Sequence, residues 1–152
     1  MKKFLALFTI LLLIVTIVLT AQNHFKTRSK TPTATIHNHT FKLELAKTQK
    51  EKEIGLSAKK TLEKDFGMLF PFEKPSYYSF WMKSMKFPID IIFINNDRIV
   101  TIYKNVSPPK NPSEGLQTFA PKEPADTVLE INAGLSEKYN FKEGDIVKIE
   151  YL

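Results

Sequence analysis

Two patterns of apolar residues divide the chain. From Phe4 to Ala21 it reads FLALFTILLLIVTIVLTA, eighteen positions without a charge, whereas beyond position 33 apolar residues come in short alternating runs. As an α-helix rising about 1.5 Å per residue, the first segment covers about 27 Å, close to the hydrocarbon thickness of a bilayer and longer than a typical signal-peptide core. The hydroxyls of Thr9, Thr16 and Thr20 can bond back to helix carbonyls, which satisfies them inside lipid. Residues 1–21 therefore read as a transmembrane anchor, with Lys2 and Lys3 on the cytoplasmic side and the rest of the chain outside. The alternative is a cleaved signal peptide and a secreted product, but cleavage after Ala21 would place Leu19 where a small residue is wanted. Residues 22–33 are polar and basic and read as a stalk, leaving 34–152 as the folded domain.

Within that domain Phe41, Leu43 and Leu45 alternate with Lys42, Glu44 and Ala46, the period of a half-buried strand, and His37-Asn38-His39 can turn it back on residues 33–36. Thr48 and Glu51 have capping-box spacing, which predicts a helix over 49–60. Branched and aromatic runs at 68–70, 78–82, 89–94, 98–103, 128–131 and 146–151 predict further strands, with a hairpin turn at Asn95-Asn96-Asp97. Lys104 to Asp126 contains five prolines and cannot be a central strand. A helical turn is expected over 134–139. The predicted fold is α+β and mostly β: a compact twisted sheet or small barrel-like sheet with one or two short helices, preceded by an N-terminal transmembrane helix.

Composition narrows the chemistry. The chain has no cysteine, which excludes disulfides, thiolate metal sites and cysteine nucleophiles. Five of its 22 basic residues precede position 31, before any acidic residue occurs; the other 17 face all 16 acidic ones, so the net charge of +6 falls to +1 in the domain. A near-neutral domain without a zinc finger or basic helix lacks the footprint for phosphate backbones, and nucleic acid is not an expected partner.

The series Gly55-Leu56, Lys59, Gly67-Met68-Leu69-Phe70, Phe80-Trp81-Met82-Lys83, Pro88 to Ile94, Leu129-Glu130, Ala133-Gly134 and Gly144-Asp145 resembles the DUF192 family, bacterial and archaeal domains of unknown function, often exported. The resemblance runs from about Gln49 to Leu152. It implies a compact, mostly-β fold and no defined activity. Lys59 stands where the family usually has arginine, and Ser84 and Met85 where asparagine and threonine are typical.

Trp81, Lys83, Asp90 and Lys59 are the candidate ligand-binding residues. Asp90 is flanked by Pro88, Ile89 and Ile91 to Ile94, and an ionised carboxylate in apolar surroundings is costly without partners. It can accept backbone amides or pair with Lys59, Lys83 or Lys86; alternatively it is a base or a ligand contact. The aromatic stretch around Trp81 can form a binding wall, although alternation along a strand sends about half of it, Phe80 and Met82 first, into the core. Met68, Met82 and Met85 with His37 and His39 lack any metal-ligand spacing. No cofactor or metal motif and no nucleophile elbow is present. Glu130, between Leu129 and Ile131, is expected to face solvent.

These residues lead to a membrane-anchored extracytoplasmic domain that binds an envelope ligand or a membrane-protein partner through the Trp81/Asp90 region, with the proline-rich loop as a rim. The rival is a polysaccharide or peptidoglycan hydrolase using Asp90 and a second carboxylate. A third reading is a structural subunit of a membrane complex.

Overall fold

The computed structural model describes residues 10–16, 31–111 and 117–151. Two units are compact in themselves, Met1–Lys30 and Thr31–Leu152. In the first, residues 10–16 are helical (α1) with Ile10 to Val15 exposed, and the Thr16 hydroxyl donates to the Leu13 carbonyl at 2.8 Å, the back-bonding expected of it. No helix among the described residues is long and apolar enough to cross a membrane. The rest of the predicted span, and the stalk up to residue 30, lie outside the described residues.

The second unit is mostly β. Its main sheet contains β1 (Thr33–Ile36), β2 (His39–Leu45), β3 (Phe66–Ser76), β5 (Ile89–Asn95), β6 (Arg98–Val106), β8 (Ala125–Asn132) and β9 (Val147–Glu150) in the order β6-β5-β8-β3-β2-β1-β9. A two-stranded ribbon pairs β4 (Phe80–Trp81) with β7 (Thr118–Phe119). The predicted first hairpin is present, with His37 at its turn in a left-handed conformation (φ 52°). The predicted domain boundary moves slightly, because Thr33 is already in β1, opposite Glu150 of β9.

The sheet curls. Arg98 bridges Ile146, and the Ile99 amide donates to the Asp145 carbonyl at 3.0 Å while its carbonyl accepts from the Gly144 amide at 2.8 Å. The two outermost strands thus meet at one end, giving a half-barrel. Its two faces carry separate cores. Ile99 and Val147, from opposite ends of the strand order, pack in one cluster with Phe41, Leu69, Ile92, Leu129 and Phe141, which is possible only on the concave side. Met68, Phe70, Ile91, Phe93 and Val128 form the convex cluster with Leu56, Met82 and Phe119.

Covering the convex face is α2 (Gln49–Ile54), continued by a 3₁₀ turn at Gly55–Ala58. Its capping box forms as predicted: the Glu51 amide donates to the Thr48 hydroxyl at 3.2 Å and the Thr48 amide to the Glu51 carboxylate at 2.8 Å. The helix stops short of the predicted residue 60 because Gly55 adopts φ 49°, a value that breaks the α-helix. Leu56 is the buried side chain of this region, and its burial contributes about 2 kcal/mol. β3 extends further than predicted, through Pro71 and Pro75. β2 pairs with it only as far as Leu69, so beyond that point a missing N–H costs no ladder bond on the β2 side.

Candidate functional site

Asp90 is a scaffold residue. It is fully buried in β5, where its Oδ1 accepts from the amides of Asn105 at 2.8 Å and Gly134 at 3.0 Å, and its Oδ2 from the Ser136 amide at 2.8 Å. The pairing of β5 with β6 shifts register between Ile89 and Ile91, and Asn105 (φ 55°) turns its amide toward the carboxylate at that irregularity. The other two donors belong to the start of α3 (Leu135–Lys138), following Gly134 at φ 81°. Three amide donors satisfy a buried carboxylate without any lysine, and the pairings considered with Lys59, Lys83 and Lys86 are absent. Lys59 instead pairs with Glu44 at 2.6 Å.

The opposite face holds a second buried carboxyl. Glu130 lies opposite Ile91 on one neighbouring strand and Met68 on the other, while Asp90 lies opposite Ile131. Successive strand residues point to opposite faces, so Asp90 belongs to the concave side and Glu130 to the convex side. They cannot act on one bond from the two sides of a β-sheet, which removes this carboxylate pair for hydrolysis. Nor does Glu130 face solvent, as its alternation with Leu129 and Ile131 suggests: it is 5% exposed. β8 is a central strand with both faces covered. The missed signal is Val128, apolar and on the same face as Glu130.

Glu130 forms the floor of a cleft of about 280 Å³ walled by α2 and its 3₁₀ turn on one side and by Phe70, Phe72, Tyr78, Phe80, Trp81, Lys83 and Met85 on the other. Burial pushes its carboxyl up to about 8, so it is largely protonated at neutral pH. Among the described residues none donates to it or pairs with it. Trp81 is 45% exposed at the rim, whereas Phe80 packs edge-on against Phe70 and Phe93 and Met82 is buried, as the alternation predicts. Lys52 places its ammonium 4.1 Å from the centroid of the Phe72 ring, which also stacks on Tyr78 at 3.6 Å and meets Phe80 edge-on at 6.4 Å.

Two of the four predicted residues, Trp81 and Lys83, thus share a cleft that lacks Asp90. Lys59 stands beside it: Glu44, its partner, is opposite Met68, two strands from Glu130 and so roughly 10 Å away. The proline-rich segment borders a different cleft, of about 700 Å³, in which Tyr103, Lys104, Pro108, Pro109 and Gln117 surround Met82, Val106 and Phe119; no carboxylate lines it among the described residues. Met68, Met82 and Met85 pack with the convex core, while His37 and His39 lie against Phe141 and Tyr139. No three metal-ligating side chains cluster among the described residues.

The sequence pattern of the DUF192 family, described as an uncharacterized ACR, matches residues 32–149. The chain belongs to the DUF192 family. A solved structure of a Novosphingobium aromaticivorans protein of unknown function is similar to this DUF192 chain at 34% identity, covering 78% of this chain and 83% of that one with a TM-score of 0.69. A second, a candidate transcription regulator from Sinorhizobium meliloti, is 31% identical over 78% and 91% of the two chains with a TM-score of 0.67. No curated protein matches.

Proposed function

We propose that this DUF192 protein is a ligand-binding domain held at the extracytoplasmic face of a membrane by residues 1–21, and that its ligand enters the cleft between α2 and Trp81. The observation that carries this reading is Glu130, a buried carboxyl without a partner at the bottom of an aromatic-walled cleft. Burial without a protein partner disfavours its ionised form, and a ligand that completes its hydrogen bonds relieves that cost. Trp81 and Lys83 supply stacking area and charge at the rim. Asp90 serves the site indirectly, by fixing β5 next to β8. The membrane location rests on the uncharged run from Phe4 to Ala21 behind two lysines. Direct nucleic-acid binding would call for a basic surface, whereas this domain carries 17 basic and 16 acidic residues.

The test is an amide-shift titration of the full chain in neutral detergent micelles with pooled wall fragments and short peptides. Shifts centred on Trp81, Lys83 and Glu130, lost in Trp81→Ala, are expected; a folded protein in which only residues outside the cleft move would refute the assignment. Protease added to intact cells should remove the domain, and full protection would refute the topology.

A further inference from the structure

The chemistry missing from the cleft is legible in what surrounds Glu130. Its neighbours across the sheet on the same face, Ile91 and Met68, are apolar. The charged groups facing the cleft are Lys52 and Glu53 of α2 and Lys83 after β4. Glu53 and Lys83 are exposed and Lys52 is half-buried, so water and salt screen them. Tyr78, the other titratable group, donates its hydroxyl to the Lys74 carbonyl at 2.8 Å. The floor therefore holds one acid and no base. One ring of this wall, Phe72, already carries the Lys52 ammonium over its face at 4.1 Å, which shows that the wall accepts a cation.

We propose that the cleft takes a small organic ammonium ion, its nitrogen pairing with the Glu130 carboxylate on the floor and its carbon skeleton lying against Phe70, Phe80 and Trp81. This rests on the reading of the cleft as the binding site. A cation answers both features at once, because it neutralises the buried carboxylate and is attracted by the ring quadrupoles. A neutral polyol offers only hydrogen bonds to the floor. An anion needs Glu130 to stay protonated and gains nothing from the floor but one hydrogen bond. The cleft volume of about 280 Å³ sits just under the usual range for drug-sized ligands and suits a cation of a few heavy atoms.

The proton balance follows. In the empty cleft Glu130 holds its proton near neutral pH; when the ammonium arrives, the carboxyl O–H gives that proton to the buffer and the ammonium keeps all of its own. Binding thus exchanges one positive charge for another and releases nearly one proton at pH 7. Affinity rises by up to about tenfold per pH unit until Glu130 ionises unaided.

The experiment is calorimetry of the full chain in neutral detergent with n-butylammonium at pH 7, in two buffers of different ionisation enthalpy, with 1-butanol as the neutral control of the same shape. Expected are release of close to one proton per bound n-butylammonium, weak or no binding of 1-butanol, and loss of at least about tenfold in affinity in Glu130→Gln. Equal binding of 1-butanol without proton release overturns the ammonium inference and leaves the cleft as a site for neutral ligands. If neither compound binds while wall fragments still shift Trp81, the ammonium inference alone falls. If nothing shifts Trp81, both readings fall.

Discussion

Replacing Glu130 by glutamine tests the central physical claim without any ligand. Ordinarily a glutamate carboxyl titrates at 4.5; burial moves this one to about 8. Below 4.5 both the folded and the unfolded chain hold the proton, and Glu130 adds no pH dependence. Between 4.5 and about 8 the unfolded chain has released it and the folded chain has not, so the folded state binds more protons and stability falls as pH rises, by about 1.4 kcal/mol per unit. Across the window the loss reaches about 5 kcal/mol, comparable with the whole stability of a small domain. Glutamine removes this dependence and keeps the shape. Urea unfolding of the full chain at intervals from pH 5 to 9, followed through the single tryptophan, measures it. The difference between wild type and Glu130→Gln cancels every other titrating group, including Asp145 and Glu51, whose lowered values act on the acid side. The variant should gain on the wild type steadily from pH 5 to 8 and then run parallel to it. Curves parallel throughout would refute the buried, unpaired state of Glu130.

Further substitutions separate scaffold from site. Asp90→Asn keeps one acceptor oxygen but turns an N–H₂ toward at least one of the three backbone donors, and should cost about 3 kcal/mol in urea unfolding while leaving the cleft's ligand affinity unchanged where the variant is folded; lost affinity at unchanged stability would show instead that Asp90 touches ligand. Gly67→Ala should destabilise by roughly 1–3 kcal/mol, because its new Cβ meets the Glu130 carbonyl oxygen at 2.9 Å between two paired strands that cannot part; a thermal midpoint equal to the wild type would contradict that close approach.

Local signals were legible in the sequence wherever the local rule governs. The capping box at Thr48, the hairpin at 37–38 and the strand period at 41–45 depend on neighbours a few residues away, and they occur as written. The mostly-β class followed from the branched and aromatic runs. Helix length failed at Gly55, where a positive φ breaks the helix. The lining of the candidate cleft was only half legible. Trp81 and Lys83 stand in one short stretch and were found together, but Glu130 joins them through the pairing of β8 with β3 and β5 across long sequence separations. Alternation in a strand reports solvent only when one face is open, and both faces of β8 are covered. Asp90 drew attention for a sound reason, a charge among isoleucines, yet its partners are amides, which every residue but proline has and which no sequence pattern advertises.

The two sides of the cleft are unequally anchored. Glu130 stands on the strand between β5 and β3, held by ladders on both edges, whereas α2 places no side chain in the core and is tied down through its cap and the adjoining Leu56. Opening the floor means breaking the sheet; opening the wall means lifting Leu56 and parting Lys52 from the Phe72 ring. Under the proposed binding reading, selection would rest with the acid on the rigid side, and the exchange rate of an occupant with the six-residue helix on the other.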